Sequence, residues 1–93
     1  MGRVEVSVIS KEGCLPCLRL DRIVGELKTE LPEIEVREVQ FTSEEGVALS
    51  IKNSILYPPA IFINGVLFAK GKILEEPLKE AVRRAAEGAR NGR

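Results

Sequence analysis

Ser10-Lys11-Glu12-Gly13-Cys14-Leu15-Pro16-Cys17 lies where an alternating apolar stretch gives way to a run with helical periodicity, and it holds both cysteines of the 93-residue chain. Upstream, Val4, Val6 and Val8 alternate with Arg3, Glu5 and Ser7 before Ile9 and Ser10, the period-two pattern of a buried strand. Downstream, Leu20, Ile23, Val24, Leu27 and Leu31 recur at helical spacing, with Arg19, Asp21, Arg22, Glu26, Lys28 and Glu30 on the other face, until Pro32 ends the run. Pro16 fits the first helical turn, where its missing N–H has no intrahelical partner to lose, and it stiffens that turn. A stapling disulfide closes a long loop, whereas a bridge across two residues barely restricts the unfolded chain. A Cys-x-x-Cys pair at a helix start instead lets one sulfur become a thiolate, stabilised by free N–H groups and the positive end of the helix dipole. The other sulfur then stands ready to resolve a mixed disulfide. The pair reads as a working dithiol.

The rest of the chain extends the alternation. Ile34 to Phe41 predicts a second strand, with an apolar phase that slips between Val36 and Val39 and so suggests a bulge or twisted end. Ser43 with Glu44 and Glu45 predicts a capped helix start, with Val47, Ala48, Ile51 and Ile55 as its apolar face, an end near Asn53 or Ser54, and Gly46 as a weak point. Ala60 to Ile63 and Val66 to Ala69 flank Asn64-Gly65, a pair that readily takes the positive φ values of a type I′ hairpin turn. Glu75 and Glu76 lead into Pro77, then Leu78, Ala81, Val82 and Ala85 share a helical face, with Gly88 as a C-terminal stop. The order is βαβαββα. The first βαβ unit favours parallel pairing and the tight hairpin forces antiparallel pairing, so an α/β fold with a four-stranded mixed sheet and helices on its faces is expected. Residues 1–88 form one domain in this reading, and 89–93 a short polar tail without assigned function.

Composition narrows the function classes. A chain that is 44% apolar supports one core. Its 14 basic and 14 acidic residues cancel, so no overall field recruits nucleic acid or an anionic membrane. No apolar stretch approaches the roughly 18 residues of a membrane span, and Met1-Gly2-Arg3 runs straight into strand-like sequence rather than a signal-peptide core. The expectation is a cytoplasmic protein, in a compartment where a close dithiol is catalytic, redox-sensing or metal-binding rather than structural.

Ser10 to Cys17, Tyr57-Pro58-Pro59-Ala60-Ile61-Phe62-Ile63-Asn64-Gly65 and Gly71 together resemble the thioredoxin fold in its short, glutaredoxin-like form. The likeness runs from Val4 to about Glu87 and is greatest to the small microbial glutaredoxin-like thioredoxins, or redox-active disulfide proteins. The resemblance implies that Cys14 is the attacking nucleophile and Cys17 the buried resolving thiol. It makes Pro59 the family's cis-proline beside the dithiol, and Lys11 the lysine that glutaredoxins use near the thiolate and the substrate carboxylate. Lys11, Leu15, Pro16, Tyr57, Pro58 and Pro59 form the implied substrate-binding set, with Ile73 a further candidate at its rim. The residue before the cis-proline ordinarily offers its backbone N–H and C=O to substrate. Pro58 has no N–H, so one docking hydrogen bond is expected to be missing.

Departures from both parent families are equally specific. Thioredoxins carry a buried acid six residues before the first cysteine and a tryptophan just before it, whereas Val8 and Gly13 stand there. Glutaredoxins place Pro-Tyr between the cysteines and a Gly-Gly-x-Asp glutathione clamp after the hairpin. This chain has Leu15-Pro16 and Lys70-Gly71-Lys72-Ile73, which weakens a case for glutathione specificity. The expected activity is thiol–disulfide exchange that reduces protein disulfides, with no cofactor beyond the redox-active Cys14–Cys17 pair and no metal. The implied partners are protein disulfides and an upstream reductase or small thiol, acting on a monomer. Two alternatives remain open. The dithiol could hold a metal or iron–sulfur cluster, although zinc generally takes four ligands and the chain has no histidine; or the fold could be a binding module with idle cysteines.

Overall fold

A computed structural model describes residues 3–90. Its elements are β1 (Glu5–Ser10), α1 (Leu15–Glu30), β2 (Glu35–Gln40), α2 (Glu44–Asn53), β3 (Ala60–Ile63), β4 (Val66–Lys70) and α3 (Glu75–Arg90). The strands form one sheet in the order β2-β1-β3-β4. β1 runs parallel to β2 and antiparallel to β3, and β3 runs antiparallel to β4. The mixed sheet expected from the hydrophobic periods is therefore observed.

β1 is central and buried on both faces, which is why its apolar pattern is richer than simple alternation. Val4, Val6 and Val8 pack with Leu20, Ile23 and Leu27 of α1, Ile61 of β3, and Leu78, Val82 and Ala86 of α3. Ile9 faces the other way, with Val39, Ala60, Phe62 and Ile55, beneath Leu49 of α2. α1 and α3 thus cover one face and α2 the other.

The slipped phase of β2 has a different cause from the one expected. Its pairing with β1 is unbroken from Glu5↔Glu35 to Ser10↔Gln40. Val36 and Val39 lie on opposite faces of a continuous edge strand, and only Val39 is buried. The irregularity lies instead in the hairpin, where the register shifts between Ile61 and Phe62. Asn64 and Gly65 take φ of 52° and 82°, as the turn type requires. The Asn64 N–H donates to Glu5 O and its side-chain Oδ1 accepts from the Glu5 N–H, tying the turn to the start of β1.

Two helix details also depart from the sequence reading. The buried positions of α2 are Gly46 and Ser50, while Ile51 is 76% exposed and Val47 is exposed too. A Cβ at Gly46 would come within 2.1 Å of Gln40 O and 2.8 Å of Phe41 O. The glycine is what lets α2 seat against the end of β2, so its role is close approach rather than a weak point. The N-cap is as expected, with the Gly46 N–H donating to Ser43 Oγ at 3.0 Å. α3 does not stop at Gly88 but continues to Arg90. Of the polar tail proposed from the sequence, Asn91 to Arg93 lie outside the described residues. No helix among the described residues is long and apolar enough to cross a membrane.

Candidate functional site

The dithiol sits where the C-terminal end of β1 passes into α1. Lys11, Glu12 and Gly13 make the connection, and Gly13 takes a φ of 75° that a side chain would disfavour. Cys14 is the N-cap of α1, with extended φ and ψ, and Pro16 falls in the first turn. Cys14 and Cys17 are joined as a disulfide with a Cα–Cα separation of 5.2 Å. The two sulfurs differ in setting: Cys14 is half-buried, whereas Cys17 is only 2% exposed within the core. The Cys17 N–H donates to Cys14 Sγ at 3.1 Å. After reduction, that N–H and the helix terminus face the sulfur best placed to carry a thiolate.

The second half of the site comes from the loop before β3. The Pro58–Pro59 peptide bond is cis, as the resemblance implies. Pro59 is buried and its C=O accepts from the Gly71 N–H at 2.8 Å, which locks this loop to the segment after β4. Between these pieces runs an open groove of about 360 Å³. Pro16, Arg19 and Leu20 of α1 form one wall, Tyr57, Pro58 and Pro59 a second, and Gly71, Lys72 and Ile73 a third. Leu15 and Tyr57 stand exposed, at 77% and 65%.

Of the substrate-binding set read from the sequence, Pro16, Tyr57, Pro58 and Pro59 meet at this groove, and Leu15 stands on the surface beside Cys14. Lys11 does not line it; it borders a separate cavity with Cys17. Ile73 is a core residue, 7% exposed, that contributes one edge to the groove. Sequence reasoning missed Arg19 and Lys72, the groove's two cations. The spacing from Pro16 to Arg19 already puts them on one helix face, but nothing local says that the segment after β4 closes over it.

Acids near the second cysteine were missed as well. Asp21 and Glu38 border the cavity that reaches Cys17. Burial, and then the neighbouring Glu38, push the Asp21 carboxyl above its ordinary value of 3.8. Among the described residues, no group of three or more His, Cys, Asp or Glu side chains is gathered for a metal ion.

No protein-family profile and no curated protein matches the sequence. Solved structures match the fold closely. A thioredoxin from Fasciola hepatica superposes with a TM-score of 0.65 at 26% identity, covering 89% of this chain and 81% of its own. An uncharacterised thioredoxin-like protein from Clostridium perfringens gives 0.71 at 10% identity, over 89% and 71%. Oxidised mitochondrial thioredoxin 3 from Saccharomyces cerevisiae gives 0.65 at 16% identity, over 87% and 77%. Fold and dithiol together define a redox protein of the thiol–disulfide class. Its mixed sheet and three helices match the thioredoxin-fold neighbours, and the Cys14–Cys17 disulfide at the head of α1 is consistent with a member of the thioredoxin superfamily.

Proposed function

We propose that the protein is a thiol–disulfide oxidoreductase that reduces disulfides in other proteins, acting as a monomer in the cytoplasm and closest in kind to the short glutaredoxin-like thioredoxins. The carrying observation is the asymmetry of the pair: a half-buried Cys14 at the helix N-cap, two residues from Pro16 on the wall of an open groove, and a Cys17 only 2% exposed within the core. In the reduced protein, Cys14 attacks a substrate sulfur, the substrate S–S bond breaks and a Cys14–substrate disulfide forms. Cys17 then attacks Cys14 Sγ, the intramolecular disulfide re-forms and the second substrate sulfur leaves as a thiol. An upstream reductase or a low-molecular-weight thiol restores the dithiol.

Substrate binds across the groove. Pro58 and Pro59 shape one of its walls, Leu15, Pro16 and Tyr57 offer apolar and aromatic contact, and Lys11 attracts a carboxylate on the far side of the dithiol. The test is insulin reduction by the wild type and by Cys14→Ser and Cys17→Ser. The wild type turns over, Cys14→Ser is inactive, and Cys17→Ser accumulates a mixed disulfide through Cys14. Wild-type activity at background together with a Cys14 that resists alkylation would overturn the reading.

A further inference from the structure

Resolution of a mixed disulfide needs a base for the buried thiol. Cys17 cannot attack as a neutral thiol, the chain contains no histidine, and Val8, beneath the site, is apolar. A second cavity of about 220 Å³ reaches Cys17 and shares no lining residue with the substrate groove. Three carboxylates border it: Glu12 in the loop before α1, Asp21 on α1 and Glu38 on β2. Asp21 lies one helical turn beyond Cys17 on α1, on the same face. Glu38 lies on β2 directly opposite Val8, hence on the sheet face that α1 covers. Ser10 Oγ donates to Glu38 Oε2 at 2.7 Å and fixes that carboxylate at the cavity edge. A cavity of this size, edged by Ser10, Lys11, Asp21, Glu38 and Gln40, has room and partners for water, the ordinary relay between a thiol and a nearby carboxylate.

We propose that Asp21, supported by Glu38, is the proton acceptor for Cys17 during resolution of the mixed disulfide. The inference rests on the oxidoreductase reading above. The Cys17 thiol proton passes through cavity water to the Asp21 carboxylate. The Cys17 sulfur then uses the freed electron pair to form the bond to Cys14 Sγ. The Cys14–substrate S–S bond breaks, and the departing substrate sulfur keeps its electron pair and is protonated from solvent. Cys14 and Cys17 are oxidised by two electrons and the substrate disulfide is reduced by two. The raised basicity of Asp21 suits the task, because burial and the Glu38 charge both favour its protonated form. The other charged groups around it are Lys11 and Glu12 from the preceding loop and Lys28 from the next turns of α1. Lys28 Nζ is engaged by Pro32 O and Ile34 O, which leaves Asp21 without that cation as a dedicated partner.

The experiment is single-turnover reduction of insulin between pH 5.5 and 9.5, with acid quenching to count the Cys14–insulin mixed disulfide. Asp21→Asn is expected to resolve it about tenfold more slowly or worse at pH 6.5. The deficit closes as rising pH ionises Cys17 without help. Glu38→Gln gives a smaller deficit of the same pH form, and Asp21→Glu restores most of the rate. Alkylation of Cys14 in the reduced protein keeps its wild-type rate. The melting temperature of Asp21→Asn at pH 7 stays at or above wild type, because a carboxylate whose folded-state pKa is raised destabilises the fold once ionised. Unchanged resolution in Asp21→Asn, or slowing that is equal at every pH and accompanied by a lower melting temperature, would overturn the assignment. An inactive wild type strikes the oxidoreductase reading instead, so the two failures are distinguishable.

Discussion

Pro58 subtracts one hydrogen-bond donor from the segment that would dock substrate beside Cys14. Its C=O remains, and Pro59 next to it is anchored by the Gly71 N–H, so the loop's shape does not depend on the missing donor. A neutral hydrogen bond contributes about 0.5–1.5 kcal/mol net. Pro58→Val, which restores the N–H while leaving Pro59 in place, is therefore expected to lower the KM for insulin by about two- to tenfold with kcat nearly unchanged. Steady-state insulin reduction checks it, and an unaltered KM would show that the donor is not used. The two cysteines and the two prolines were legible because each is a residue type whose chemistry or backbone restriction is unusual. Asp21 and Glu38 were not, since an acid on an exposed helix face looks like any other until the register of β2 against β1 brings it to a cavity.

At the scale of elements, α1 carries the dithiol and is held against α3 by a closed ring of ion pairs. Arg22 pairs with Glu26 and Glu75, and Lys79 pairs with the same two carboxylates. Arg83 adds a two-toothed contact to Glu30. Side-chain hydrogen bonds from Lys79 hold the Glu26 and Glu75 carboxyls below their ordinary 4.5. A carboxyl depressed in the folded state stabilises the fold fully above its unfolded value and ceases to do so as pH falls through the folded one. Glu26→Gln should therefore lower the melting temperature at pH 7 by a few degrees at most, as exposed pairs do. That difference should shrink below about pH 4.5 and also in molar salt, which screens such pairs. Calorimetry across pH 2.5–7 tests this; a difference that persists at the acid end would mean that Glu26 acts through packing. The two helices were readable from periodicity, whereas their pairing on one face of the sheet follows from the strand order. The buried face of α2 was not: apolar periodicity favours Val47 and Ile51, but the close approach at Gly46 decides which side turns inward. Contact with the Gln40 carbonyl outweighs the pattern, and that contact exists only once β2 is in place.

For the molecule as a whole, the site stands on the larger of the two cores. Leu20 and Ile23 belong to that core and also wall the substrate groove, whereas Leu27, equally buried, lies farther along α1 and lines no part of it. This arrangement separates stability from function along one helix. A domain of this size is stable by roughly 5–14 kcal/mol and truncating a buried leucine costs about 2–5 kcal/mol, so a single variant is folded near 25 °C wherever the stability of the wild type exceeds that cost, which its own urea unfolding curve reads directly. Leu27→Ala is expected to lose that stability in urea unfolding while keeping the wild-type KM for insulin. Leu20→Ala should lose a similar amount and also raise KM, because the groove wall beside Pro16 and Arg19 is hollowed. If both variants changed KM alike, the groove would be responding to the stability of the whole core rather than to its own wall. A shift confined to Leu20→Ala would show that the first turns of α1, which already present Cys14, also shape the surface on which its substrate rests.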